Sequence, residues 1–130
     1  GLLALLILLD QFPRNLFRGT ARAFAGDAQA RHLAEVAIDR GWDSNLTAGE
    51  KLFVYLPFEH SEALADQERS VALFSALAAG HPGCEGFLDY AHRHHEVIAR
   101  FGRFPHRNAA LGRPSTPEET SYLAQPGSGF

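Results

Sequence analysis

Three proline–phenylalanine turns punctuate this chain: Phe12-Pro13, Pro57-Phe58 and Phe104-Pro105, with prolines 44 and 48 residues apart. Proline has no backbone N–H and disfavours the helical conformation in the residue before it, so each turn is expected to end an element. The stretches between the turns are helical in pattern. None shows the sustained two-residue alternation rich in Val, Ile and Thr that marks a strand. The spacing is near that of two-helix repeats, which predicts an all-α chain of antiparallel helix hairpins with alternate turns at one end of the stack.

Local signals set the expected boundaries. A first helix runs from about Leu2 to Gln11 and stops before Pro13. Asp27 is placed to cap a second, whose apolar stripe is Ala30, Leu33, Ala34, Ala37 and Ile38, closed by Gly41. Thr47-Ala-Gly-Glu50 reads as a capping box opening a short helix to about Leu56. Two longer helices follow, from about Ser61 to Ala79 and from about Cys84 to Phe101. Thr116-Pro117-Glu118-Glu119 joins an N-cap, a proline at the first helical position and a reciprocal glutamate. Residues 1–124 are therefore read as one helical domain, and Gln125–Phe130 as a flexible tail.

Composition narrows the function classes. The 130 residues, 45% hydrophobic and 21% charged, suffice for one buried core. A net charge of −3 argues against nonspecific nucleic-acid binding, which needs a positive field over phosphates. The lone Cys84 cannot form an internal disulfide, which points to a reducing, cytoplasmic setting. The apolar run Leu2–Leu9 is shorter than the ~20 residues a membrane span requires, and reads as a buried helix. With no Met in the chain and its start inside that run, the sequence is expected to begin within a longer protein. It contains no Gly-rich phosphate loop, dinucleotide fingerprint or paired-cysteine zinc motif, and no cofactor is expected.

Polar residues on apolar stripes are the informative intrusions. After Pro57, Leu64, Val71, Phe74 and Ala78 share a face that also carries Gln67, with Asp66 and Ser70 beside it. In the next helix, Leu88, Ala91, Ile98 and Phe101 form a stripe that includes His95, with His94 at its edge. An inward polar group left unpaired costs roughly 1–3 kcal/mol, so each must find a partner. One reading makes them ties between helices. Another makes His60, His95 or His106 a general base oriented by a carboxylate, with Asp10, Glu62 and Asp66 available.

The turns are dense in chemistry. Asp10, Arg14, Asn15 and Arg18 cluster at the first, Glu59, His60, Ser61 and Glu62 at the second, and Arg103, His106, Arg107, Asn108 and Arg113 at the third. Arg and Asn hold anions through forked, charge-assisted hydrogen bonds, and equally they cap helix ends. His60, Glu62, His95 and His106 are metal-ligand types, but no His-Glu-x-x-His or Glu-x-x-His spacing is present, and no metal site is assigned.

Leu9-Asp10-Gln11-Phe12-Pro13-Arg14-Asn15, Pro57-Phe58-Glu59-His60-Ser61-Glu62 with Asp66-Gln67, and Phe101-Gly102-Arg103-Phe104-Pro105-His106-Arg107-Asn108 together resemble domain-of-unknown-function family 924 of bacteria. Leu111-Gly112-Arg113 and Ser115-Thr116 with Glu118-Glu119 extend the likeness, which covers Leu9 to about Leu123. The resemblance implies a tetratricopeptide-like helical fold and no particular reaction. Family members usually carry a further helical segment before the first motif, which this chain lacks. The family's polar motif positions fall here on Asp10, Arg14, Asn15, His60, Glu62, Asp66, Gln67, His95, Arg103, His106, Arg107 and Asn108.

The leading expectation is a small anionic metabolite bound by Asp10, Arg14, Asn15, Glu62, Gln67, Arg103, Arg107 and Asn108, with His60, His95, His106 and Asp66 as catalytic candidates. A tetratricopeptide-like module that binds a protein partner, its polar motifs purely structural, is the alternative. A metal-dependent hydrolase is the third.

Overall fold

A computed structural model describes residues 1–130, and every regular element is helical. The elements are α1 (Leu2–Leu6), α2 (Phe12–Leu16), α3 (Asp27–Asp39), α4 (Ala48–Glu59), α5 (Leu64–Gly80), α6 (Glu85–Phe101), α7 (Asn108–Leu111) and α8 (Pro117–Leu123). From α3 to α6 each helix packs against the next across a short connection, the arrangement of antiparallel neighbours. No helix is long and apolar enough to cross a membrane.

Pro13 and Pro57 do not end helices where the pattern suggested, whereas α6 does stop at Phe101 ahead of Pro105. A π-helical turn, Ile7–Gln11, joins α1 to α2, and the Phe12 N–H reaches back five residues to the Ile7 carbonyl. The extra residue in that turn carries the helical path past Pro13, which has no N–H for the Leu9 carbonyl. That carbonyl oxygen lies instead against Gly26, where any Cβ would overlap it, so glycine is required by close approach. Pro57 likewise sits inside α4, which continues to Glu59. The consequence is functional: Glu59 and His60 become the buried C-terminal end of a helix rather than part of a loose turn.

Both capping boxes form as the sequence predicts, at Thr47/Glu50 and Thr116/Glu119. Gly41, at φ 71°, closes α3 with paired bonds, its own N–H to Ile38 and that of Trp42 to Ala37. The expected Asp27 cap is absent, because the Asp27 carboxylate is taken by Arg14. The expected Ser61 start of α5 shifts to Leu64, since the Ser61 hydroxyl bonds Asp66 and the Ala63 N–H in the preceding turn.

The main core gathers Leu6, Ala30, Ala34, Ala37, Val54, Phe58, Phe74, Leu77 and Ala91. Three alanines let α3 approach closely, while Phe58 and Phe74, fully buried, each contribute roughly 2–3 kcal/mol. A smaller cluster of Val97, Ile98 and Phe104, with Phe101 and Tyr122 against it, joins the end of α6 to α8. The leucine run is not buried on all sides. Leu6 is enclosed, whereas Leu5, Leu8, Phe12 and Leu16 stand exposed along one helical path, Leu16 to 70%.

Candidate functional site

The three proline turns converge on one cavity of about 610 Å³. α2 supplies Arg14 and Asn15, the end of α4 supplies Glu59 and His60, α6 supplies Tyr90 and His94, and the third turn supplies His106 and Arg107. Arg18, Phe24 and Phe130 complete the wall. The end of α4 is held in place by Gln67 on α5, whose amide N–H groups donate to the carbonyls of Glu59 (2.6 Å) and Ser61 (2.7 Å). That bond occupies helix-terminal acceptors and fixes the direction in which Glu59 and His60 face.

Asp10, buried behind the cavity wall, orients two of its groups. Arg14 Nη1 donates to Asp10 Oδ1 at 2.7 Å, and His60 Nδ1 lies 2.7 Å from the same oxygen. Burial alone would raise the Asp10 carboxyl, but His60 and Arg14 outweigh it and hold the group below its ordinary value. An ionised Asp10 accepts, so His60 donates through Nδ1 and its Nε2 carries the free lone pair. Burial also pushes the His60 imidazole down, against the pull of Asp10. A neutral ring with one nitrogen committed to a carboxylate and the other bare is the arrangement of a general base.

Arg14 and Arg107 share Asp27. Arg14 donates to both its oxygens, at 2.7 and 2.9 Å, and Arg107 Nη1 approaches to 3.6 Å. Arg107 also donates to the His60 carbonyl at 2.7 Å. Burial, with Arg14 nearby, brings the Arg107 guanidinium down to about 10, so it keeps its charge at neutral pH. Glu59 is the counterpart. Burial, reinforced by Asp10, raises it to about 8, so its carboxyl is largely protonated and able to donate. His94 donates from Nδ1 to the Tyr90 carbonyl at 2.7 Å and lies 3.7 Å from Glu59 Oε2. Burial lowers His94 to about 3, and burial with Arg107 lowers His106 to about 4, so both rings are neutral.

Three buried polar atoms on the wall have no hydrogen-bond partner: Glu59 Oε1, His106 Nδ1 and Arg107 Nε. Buried polar atoms are normally paired, so three orphans on one cavity wall set it apart from the packed core.

Of the residues expected to form the site, Arg14, Asn15, His60, His106 and Arg107 line this cavity, and Asp10 orients two of them. The others lie elsewhere for identifiable reasons. Glu62 is held by Arg113 and by the Phe104 N–H, and Asn108 bonds Ser115, Glu119 and Arg113. Arg103 forks onto Glu119, and Asp66 is engaged by Arg31 and Ser61. His95 is only partly buried and off the cavity, because α6 turns Ala91, His94 and Val97 inward together. Periodicity alone does not separate His94 from His95, since both lie three or four residues from Ala91 and Ile98. Glu59 was missed although the signal existed: it stands four residues after buried Tyr55, on the stripe of an otherwise apolar helix. No three His, Cys, Asp or Glu side chains are placed to share a metal ion.

Fold and site define the class: an all-helical protein whose helix ends enclose a polar cavity rich in arginine and histidine. The chain belongs to the family described as "Bacterial protein of unknown function (DUF924)", whose model matches residues 1–127. It is similar to a solved structure of a protein of unknown function, ATU0120 from Agrobacterium tumefaciens. The two are 48% identical with a TM-score of 0.86, over 95% of this chain and 66% of that one. The chain thus spans just under two thirds of that relative's length. Among curated proteins nothing matches.

Proposed function

We propose that this protein binds a small anionic ligand in the cavity between the three turns, as a bacterial protein of the cytoplasm. The observation that carries the reading is the set of partnerless polar atoms, Glu59 Oε1, His106 Nδ1 and Arg107 Nε, on a wall that also presents Arg14 and Arg18. Of the three guanidinium groups on that wall, Arg14 and Arg107 are partly balanced by Asp10 and Asp27, and Arg18 pairs with no carboxylate. The one carboxyl on the wall, Glu59, is largely protonated at neutral pH. A carboxylate or phosphate would receive the guanidinium donors, and Asn15 and His106 would complete its hydrogen bonds. Where chemistry follows binding, the Asp10-oriented His60 is the base and Glu59 the acid.

Thermal denaturation with millimolar phosphate, acetate and larger carboxylates tests this directly. A stabilising anion should raise Tm by mass action, and Arg107→Met should remove the rise. Absence of any shift across the series would sink the reading.

A second reading has its own observation. Leu5, Leu8, Phe12 and Leu16 form an exposed apolar path, as a tetratricopeptide-like module that docks a protein segment would present. Leu8→Glu with Leu16→Glu should then abolish association with a purified partner while leaving Tm nearly unchanged. Retained association would exclude that face.

A further inference from the structure

The aromatic ring of Phe130 enters the cavity wall and is met by planar groups on several sides. It stacks on the His94 imidazole, with centroids 3.7 Å apart and planes 22° from parallel. His106 meets it nearly perpendicularly at 5.8 Å and Phe104 at 6.2 Å, while the Arg93 guanidinium lies 5.6 Å from its centroid. Offset-stacked and edge-on contacts at these separations are the favoured geometries of aromatic pairs, and a guanidinium beside the ring adds a cation–π attraction. The result is a ring-sized slot with His94 as its stacking face and His106 and Phe104 at its edges.

Little else holds the ring there. Phe130 remains 41% exposed, and the preceding segment is tied back by the Ser128 hydroxyl to the Leu123 carbonyl. A ring with shaped walls but a weak tether is a replaceable occupant. The slot also adjoins the cationic end of the cavity. Arg107 lies 4.6 Å over the Phe104 ring, and the same Phe104 forms one wall around Phe130. His106, the neighbour of Arg107, contacts Phe130 directly and keeps a buried nitrogen without a partner.

We infer that the cavity is built for an aromatic carboxylate: an aryl ring in the slot of His94, Phe104 and His106, and an anionic group toward Arg107. Phe130 occupies the aryl position in the unliganded protein and leaves it when such a ligand binds. This inference rests on the anion-binding reading above and adds the ring to it. An aliphatic anion would satisfy the arginines and leave Phe130 in place, whereas an aryl carboxylate must displace it. Each molecule with the slot filled by its own side chain is unavailable to the aryl ligand, so apparent affinity falls by the open fraction.

Isothermal titration of the full chain with phenylacetate, benzoate, acetate and inorganic phosphate, repeated on Phe130→Ala, separates the possibilities. Phe130 lies beyond α8 and no helix is built on it, so the variant is expected to fold. Phenylacetate should bind roughly tenfold more tightly to Phe130→Ala than to the parent, while acetate and phosphate stay unchanged. His94→Leu, which removes the stacking face, should erase the preference of phenylacetate over acetate. Equal binding of aryl and aliphatic anions would overturn the aryl slot and leave the anion site standing. Weaker phenylacetate binding by Phe130→Ala would show that Phe130 packs against the ligand, which also overturns the displacement. Failure of every anion to bind either protein would remove both readings together.

Discussion

Two polar clusters in this protein are made from the same residue types and have opposite characters. Around the third turn, Glu62 takes Arg113 at 2.8 and 3.1 Å, and Asn108 accepts from Arg113 Nε and donates to Ser115 and Glu119. Glu119 in turn receives Arg103 twice and the Thr116 N–H. Every side chain there is answered by another. Around the cavity the arginines, histidines and a glutamate are answered only in part, and Glu59, His106 and Arg107 each keep a bare buried atom. The first cluster is a joint that fixes α8 and the third turn to the turn between α4 and α5. The second is open on the side facing the cavity. Satisfaction, rather than residue type, separates structure from site.

The largest test of this contrast is Asn108→Ala. Asn108 is buried and its amide links three partners, so its loss leaves Glu119, Ser115 and Arg113 each short of a bond. Unfolding in urea should show a destabilisation of about 3 kcal/mol, with ligand response retained in the folded protein. A cost below about 1 kcal/mol would mean the joint is not closed as described.

Glu59→Gln should act in the opposite direction on the open side, and its effect should depend on pH. Glu59 is raised in the folded state from 4.5 to about 8, so the unfolded chain ionises first and stability drains away as pH climbs through that interval. Gln cannot ionise. The variant should match the parent near pH 4.5 and exceed it by a margin that grows as pH rises to about 8. His94 gives the acid limb. Its folded value of about 3 lies below 6.5, so its contribution is complete above 6.5 and is lost as pH falls toward 3. Urea midpoints measured from pH 4 to 9 for parent and variant check both limbs. A pH-independent difference would show that Glu59 is ionised in the fold.

Sequence reasoning reached the contrast only halfway, for physical reasons. All-α architecture, both capping boxes and the Gly41 closure follow from local signals, because they depend on residues within four or five positions of one another. The gathering of the three turns was also legible, through the echo of Pro13, Pro57 and Pro105 and the polar residues beside them. What no local rule separates is which arginine faces the cavity. Arg103 and Arg107 stand four residues apart at one turn, yet one forks onto Glu119 and the other borders the cavity. Their difference is made by Glu119, a residue more than ten positions away. The continuation of helix through Pro13 was hidden because a π turn leaves no mark in composition, and the choice between His94 and His95 was set by packing against α5 and the third turn.

Arg107→Met narrows the comparison to one side chain. Methionine keeps an apolar stem against Phe24 and Phe104, removes a buried charge and leaves the His60 carbonyl without its donor. These effects oppose one another, so stability should change by about 1 kcal/mol or less. Anion-induced stabilisation should nonetheless vanish. A variant that still responds to anions would move the cationic end of the site to Arg14 and Arg18.

The smallest expected effect is the most discriminating about what an unpaired atom means. Ser70 Oγ is also buried without a partner, but Ser70 belongs to the core face of α5 and does not line the cavity. If any buried orphan marked a binding site, this hydroxyl would count equally with Glu59 and Arg107. The physical expectation differs: a buried hydroxyl without a partner is simply a cost, and alanine also favours the helix interior. Ser70→Ala should therefore stabilise by about 0.5–1 kcal/mol at every pH and leave anion binding untouched. Unfolding curves at pH 5 and 8, beside titrations with phenylacetate, measure both halves of that statement. Loss of ligand response in Ser70→Ala would show that the site reaches into α5, and that the line between joint and cavity is drawn in the wrong place.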